Sequence, residues 1–419
     1  MKHREVGEEQ RREEQPVNTA SHSDEPTLIS RRVRALPGSV VRGIFDRASA
    51  LEREGKSIIH LEIGRPWHDT PAFIKEAAKA ALDKGFVHYS PTHGIGDLRS
   101  EIANKLRREN GIEADPESEI LVTCGNKQAT FLALNALVNP GDEVIITDPH
   151  YGPHLKEALY VGASPKLLPL SRENGWRLDG DLLKSLVGPK TRVIVINTPH
   201  NPTGRVFTEA ELRQVAEIAY ENDLVVITDE TYEYFAYDGR DHISIASFDG
   251  MKERTVSTFA FTKSYAMDGW RLGYMVAPKA VIAAVAKLVQ LDTAGPNTFA
   301  QYGAIEAVRS GRDGARSMVL EDLRARDMAL ERLSELALPC AGIEGTIYAF
   351  PEVGHLGMDG EQFAQRLLEE RGVALTPGSA FGKQGNSHVR IAFGAVSPQN
   401  LGVALDRLAQ FVSEIRSGG

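Results

Sequence analysis

Five short segments of this 419-residue chain carry residue types that could do chemistry together. Thr262-Lys263 precedes Gly269-Trp270-Arg271-Leu272-Gly273, which sets a lysine eight residues ahead of an arginine across a loop. A lysine desolvated there loses its proton more readily and becomes a nucleophile toward an aldehyde, whereas a solvated lysine does nothing of the kind. Asp229-Glu230-Thr231-Tyr232 ends the run Leu224 to Thr228 in two acids. An acid at the end of a buried strand needs a partner, for which a protonated ring nitrogen and a helix cap are alternatives. Thr123-Cys124-Gly125-Asn126-Lys127-Gln128 reads as a strand that breaks at glycine and opens a helix. The unsatisfied NH groups of a helix N-terminus suit a phosphate, although a glycine here also serves plain turn chemistry. Asn201-Pro202-Thr203-Gly204 has turn composition and follows the buried run Arg192 to Asn197. In His388-Val389-Arg390-Ile391-Ala392-Phe393-Gly394 an arginine stands inside an apolar strand, where its fork suits two-point binding of a carboxylate.

The runs around these segments show what positions them. From residue 119 a βα alternation sets in: the strand Glu119 to Thr123, the apolar helix Gln128 to Val138 and the strand Glu143 to Thr147. Arg192 to Asn197 and Leu224 to Thr228 are near-continuous β-branched runs, separated by a helix whose start is marked by Thr208 and Glu211 as a capping box. Such runs belong in a sheet buried on both faces. With Thr255 to Phe261 and Leu272 to Val276 added, the expected fold is α/β, a mainly parallel seven-stranded sheet between helices with functional loops at its strand ends. An amphipathic helix from Leu36, carrying Ile44, Ala48 and Leu51, should lead into a strand over Ile58 to Leu61. A long helix over Ala315 to Leu336 and a βαββα-like tail from Ile347 make a smaller α+β C-terminal domain. The expected division is a disordered tail over 1–26, an arm over 27–62, a large domain over 63–312 and a small domain over 313–419.

Composition narrows the class. A chain of 419 residues exceeds what one hydrophobic core usually serves, and 42% hydrophobic with 25% charged residues is an ordinary globular balance. The net charge of -9 argues against a nucleic-acid or anionic-membrane surface, and no apolar run approaches a membrane span. Cys124 and Cys340 are too few for a disulfide framework and wrongly spaced for zinc, so no metal is expected and a reducing cytoplasm is the simplest compartment. Residues 1–26 hold four basic and seven acidic residues with almost nothing apolar, a composition that does not fold and lacks the apolar core of a signal peptide.

In their order and spacing the five segments resemble the class I/II aminotransferases of the fold-type I pyridoxal 5'-phosphate (PLP) enzymes, over residues 34 to 412 or so. The resemblance implies an enzyme that moves an amino group from an L-amino acid to a 2-oxo acid. It implies Lys263 as the Schiff-base lysine, Asp229 as partner of the pyridine nitrogen, and Asn201 and Tyr232 as donors to the ring's phenolic oxygen. Arg271 and the backbone of Gly125, Asn126 and Lys127 would hold the phosphate, Tyr151 would stack on the ring, and Arg390 would clamp the substrate's α-carboxylate near Gly64. Tyr89, in His88-Tyr89-Ser90-Pro91, matches a tyrosine that reaches the neighbouring subunit's phosphate, so a homodimer is implied. Two departures stand out. Ala260 lies where many members have a phosphate-binding hydroxyl, with Thr262 as a substitute donor, and Trp67-His68-Asp69 replaces a Phe between acids at the substrate's border. Cys124 and Trp270 read as packing residues.

By the same resemblance, the cofactor draws electrons from the substrate's Cα, and Lys263 serves as both anchor and base. Arg271 and Arg390, at opposite ends, would fix which Cα bond breaks. The scaffold also supports elimination, cyclisation, decarboxylation and oxidation, and a side-chain elimination or an oxidation would release ammonia without an acceptor oxo acid. A PLP-sensing transcription regulator would need a DNA-binding module, and the tail is too short and too polar for a helix-turn-helix. Lys127, in the first turn of a helix, favours a nearby anion, either the phosphate or a substrate's second carboxylate. His68 and His150 could equally favour another polar side chain.

Overall fold

The computed structural model describes residues 28–417, so the expected tail over 1–26 lies outside the described residues. Eleven strands form among the described residues. They are β1 (Ile59–His60), β2 (Ile120–Thr123), β3 (Glu143–Asp148), β4 (Ser164–Pro169), β5 (Thr191–Asn197), β6 (Val225–Asp229), β7 (Thr255–Ala260), β8 (Gly273–Val276), β9 (Val373–Ala374), β10 (Thr376–Pro377) and β11 (Val389–Arg390). Seven of them make one sheet in the order β2-β8-β7-β6-β5-β3-β4. Only β8 runs against the rest, so the expected mainly parallel α/β sheet is what forms. Its strands are buried on both faces because alternate side chains feed different cores. Val193 and Val195 join one apolar cluster with Val144, Ile146 and Ile227, and Ile194 and Ile196 join another with Ile145 and Val226. Each such side chain contributes about 1.5–3 kcal/mol on burial.

Several boundaries differ from the sequence reading, each for a local reason. β4 has no counterpart in that reading: it is a partly exposed edge strand that begins Ser164-Pro165 and ends in Pro169. Proline is tolerated at an edge, and the run is too polar to announce itself. Phe261 opens a one-turn helix, Phe261–Ser264, instead of ending β7. The helix expected from Leu36 begins at Val40, after Pro37-Gly38, where the Ser39 side chain accepts from the Arg42 NH. The helix expected from Ala315 begins at Thr298 and runs to Glu335, interrupted at Gly311 (φ 53, ψ -144). Its first part, rich in small residues, lies close against the helix Ala72–Asp83; a Cβ on Gly303 would stand 3.1 Å from the Ile74 carbonyl.

The segment after Gly311 carries β9, β10 and β11. β10 and β11 pair antiparallel, the helix Gly360–Arg371 packs beside them, and the helix Pro398–Ser417 packs on that helix and on β9. No continuous strand forms at Ile347; Ala349 and Glu352 make isolated bridges to Ile391 and His388 instead. β1 pairs in parallel with β9, and Ala48 and Leu51 share a small core with Leu368 and Ala374. The segment before residue 62 is thereby tied to the C-terminal part of the chain.

Candidate active site

The C-terminal ends of β5, β6 and β7 and the N-terminus of the helix Asn126–Leu137 open onto a cavity of about 670 Å3. Gly64, Asn126, Lys127, Tyr151, Asn201, Asp229, Tyr232, Lys263, Arg271 and Arg390 all line it. Gly125 stands directly behind, at φ 86, as the N-cap of that helix. A Cβ there would lie 2.6 Å from an Arg271 guanidinium nitrogen, so glycine is needed for both the turn and the approach. The guanidinium donates to the carbonyls of Asp268 (2.9 Å) and Cys124 (3.2 Å), and no carboxylate pairs with it among the described residues. Cys124 is half-buried and Trp270 only partly buried, its indole NH donating to Thr70 at 3.1 Å.

Lys263 sits in the turn after β7, buried, with Nζ donating to the Gly64 carbonyl. Burial pulls its pKa below the usual lysine value, and the charges of Arg390 and Lys127 act the same way. Asp229 ends β6. One of its carboxylate oxygens accepts from the Thr231 NH at 3.0 Å, and the other lies 3.4 Å from Nε2 of His154. Burial works against protonation of that imidazole, but Asp229 and Glu157 outweigh it and raise the histidine overall. Asn197 fastens the two strand ends together, donating to the Asp229 carbonyl and accepting from the Asn201 NH, each at 2.8 Å.

Arg390 is 4% exposed. Its guanidinium donates to the Glu62 carbonyl (2.7 Å) and to Asn201 Oδ1 (3.1 Å), between the rings of Tyr348 (4.2 Å) and Phe381 (4.8 Å). Among the described residues it has no carboxylate partner, and its Nε is buried without an acceptor. The Tyr232 hydroxyl meets that of Tyr348 at 2.7 Å. Gly64 abuts the same hydroxyl: a Cβ on it would stand 1.8 Å away.

Some residues fall elsewhere. Tyr89 lies outside the cavity lining and is 92% exposed. His68 faces Asp322 (3.4 Å) on the long helix, outside the cavity lining, and Asp69 pairs with Lys75. His150 does line the cavity, and burial lowers its pKa to about 4. Sequence reasoning passed over His154, Asn197 and Tyr348. Tyr348 reads as one more apolar position in Ile347-Tyr348-Ala349-Phe350, and His154 lies in a short helix with no pattern to mark its inward face. The arm was expected but was given no part in the site, although Gly38, Ser39 and Val40 close one side of the cavity and Gly38 accepts from Lys156 Nζ at 2.8 Å.

The family model for aminotransferase class I and II matches residues 56–408. The chain belongs to this family. It is 40% identical to the aromatic-amino-acid aminotransferase 2 of Thermococcus litoralis, across 92% of this chain and 98% of that one. It is 41% identical to an aspartate aminotransferase of Pyrococcus abyssi, with the same coverage. The solved structure of the Thermus thermophilus aspartate aminotransferase with maleate superposes with a TM-score of 0.86 at 36% identity, covering 91% of this chain and 99% of that chain. The protein is therefore a PLP-dependent aminotransferase. Among the described residues of this aminotransferase no helix is long and apolar enough to cross a membrane.

Proposed function

We propose that Lys263 carries PLP in this cavity and that the enzyme prefers amino acids and 2-oxo acids bearing a second carboxylate. The observation that carries the reading is Arg390, a buried guanidinium without an anion in the same cavity as a buried lysine and a strand-end carboxylate. The donors present suit the cofactor. The helix N-terminus at Asn126 and Lys127, with Arg271 free of a carboxylate, suits the phosphate; Asp229 suits the ring nitrogen. Asn201 Oδ1 is taken by Arg390, which leaves the amide Nδ2 to donate to the ring's phenolic oxygen beside Tyr232. Tyr151 lines the cavity as the stacking ring, and Thr262 supplies the hydroxyl that Ala260 lacks.

When bound, PLP supplies the electron sink for the substrate's Cα. The protein's part is electrostatic and positional. Asp229 keeps a positive charge on the ring nitrogen, and His154 behind it holds the carboxylate in place. Lys263 Nζ, its proton made labile by burial, moves the proton at Cα. Arg390 fixes the α-carboxylate through paired hydrogen bonds.

Lys127 and Lys156 both line the cavity, and each is without a carboxylate partner among the described residues. Burial and the charge of Lys127 lower the Lys156 pKa, and a second substrate carboxylate would relieve that repulsion. Val87 (58%) and Tyr89 (92%), close together in sequence, are exposed and suit contact with a second copy of the chain, with Tyr89 reaching the partner's phosphate site. We place the enzyme in the cytoplasm, and divide it into an arm over 27–62, a large domain over 63–312 and a small domain over 313–419. The break at Gly311 falls at the boundary between the last two.

The test mixes holoenzyme with single amino acids and follows the bound cofactor's absorbance, with ammonia and oxygen assayed in parallel. Aspartate and glutamate should bleach it fastest without ammonia release, and Lys127→Gln should slow them selectively by about tenfold relative to phenylalanine, methionine and arginine. A uniform loss with weaker cofactor retention would assign Lys127 to the phosphate instead. Borohydride reduction and peptide mapping should leave the label on Lys263, and a label on another lysine ends the reading.

A further inference from the structure

Tyr348 belongs to none of the five segments, yet it touches three of the groups that matter. Its hydroxyl is 2.7 Å from that of Tyr232. Its ring lies 4.2 Å from the Arg390 guanidinium. The same hydroxyl fills the space where a side chain on residue 64 would be, beside the carbonyl that accepts from Lys263. Tyr348 is 2% exposed, so no water competes freely for these contacts.

Two phenols at hydrogen-bond distance share one proton between them, and the more acidic one donates. Burial raises both hydroxyls. The positive charges of Lys263 and Arg390 and the contact with Tyr232 offset this for Tyr348 and bring it below a free phenol, whereas Tyr232 stays well above. Each phenol carries one proton, so a Tyr232 hydroxyl that donates to the cofactor's phenolic oxygen has to accept from Tyr348 across their 2.7 Å contact. The Tyr232 proton is then turned away from Tyr348 toward the cavity, and a hydroxyl that accepts one hydrogen bond is a stronger donor in the next.

We propose that Tyr348 is a positioning residue that acts at both ends of the site, its hydroxyl aiming the Tyr232 O–H at the cofactor's phenolic oxygen and its ring holding Arg390 flat for the substrate carboxylate. This rests on the assignment of Tyr232 as a cofactor donor. Hydroxyl and ring make separable contributions. Tyr348→Phe removes the aim and keeps the stack; Tyr348→Leu removes both.

The experiment uses four holoenzyme variants, Tyr232→Phe, Tyr348→Phe, Tyr348→Leu and the double Phe variant. Two readouts do not depend on turnover: the pH midpoint of the bound cofactor's absorbance change, and the dissociation constant of maleate, an unreactive dicarboxylate. Tyr232→Phe should raise the midpoint by about one unit and Tyr348→Phe by about half as much, as expected for a weakened hydrogen bond to a charged oxygen. The double variant should match Tyr232→Phe alone. Maleate binding should stay within about twofold in Tyr348→Phe and weaken about tenfold in Tyr348→Leu. In turnover, Tyr348→Phe should lower kcat with KM nearly unchanged, whereas Tyr348→Leu should also raise KM. A midpoint shift in Tyr232→Phe with none in Tyr348→Phe, or additive shifts in the double variant, overturns the inference alone. No shift in Tyr232→Phe overturns the assignment of Tyr232 and the inference with it.

Discussion

The two ends of the cavity are built differently. At the sheet end, Asn197 and Asp229 finish the strands β5 and β6, which are five to seven residues long and buried on both faces. At the other end, Arg390 finishes β11, a two-residue strand, and Tyr348 lies outside any named strand. Regular backbone pairing positions the first group; side-chain contacts position the second. Arg390 is held by the Glu62 carbonyl, Asn201, the Thr376 hydroxyl at 3.4 Å and two aromatic faces. The contrast suits the proposed division of labour, with the cofactor at the sheet end and the substrate carboxylate at Arg390. A cofactor site needs one geometry, and strand ends supply it rigidly. A substrate clamp has to accept different partners in turn, and a cage of side chains can be retuned without touching the sheet.

The strongest test of the contrast is Asp229→Ala. The sheet should hold its shape and the cofactor should stay bound through Arg271 and the helix N-terminus, while the half-reaction slows by about 10²- to 10³-fold for want of the preorganised charge. Stopped-flow absorbance with any reactive amino acid measures it, and near-normal rates would break the assignment. Arg390→Lys comes next. It keeps the charge but loses the fork, so half-saturation should rise about 10- to 100-fold while the cofactor's own dissociation constant is unmoved. Unchanged substrate saturation would mean that the side-chain cage is scaffold and not clamp.

The smallest effect is on stability. Burial holds His150 and His388 at about 4 and His200 at about 3, against 6.5 in an unfolded chain. At these three sites the folded state binds fewer protons between those values, so their contribution to stability is complete above pH 6.5 or so and falls as the pH drops toward 4. His200 lies at the sheet end, between Thr147 (3.2 Å) and Thr203 (2.7 Å). His388 lies in the C-terminal part, stacked on Phe350 with ring centroids 4.9 Å apart. His388→Phe should flatten the decline in melting temperature between pH 6.5 and 4.5 and leave the value at pH 7.5 nearly unchanged. An equally steep decline in that variant would place the acid sensitivity at the sheet end alone.

Legibility followed the same division. The β-branched runs around Val193 and Val226 announced buried strands because burial on both faces demands apolar residues at every position. β4 stayed hidden because an edge strand has no such demand. The helix before Gly311 was overlooked because its small residues serve close packing against Ala72–Asp83 and make no strong amphipathic pattern.

The residue types and their order determined a good deal by themselves: the α/β class, the glycine at the turn into the helix Asn126–Leu137, and a lysine, an aspartate and an arginine whose spacings resemble one family. These are local properties, written in short windows of sequence. What only the tertiary structure decided is which distant side chains meet. Tyr348 reaches Tyr232 across 116 positions, and Arg390 reaches Asn201 across 189. A tyrosine in an apolar run carries no record of its partner, because that contact comes from how the C-terminal strands lie over the sheet ends. The chemistry of each residue is local, and its consequence is set by the neighbours that folding supplies.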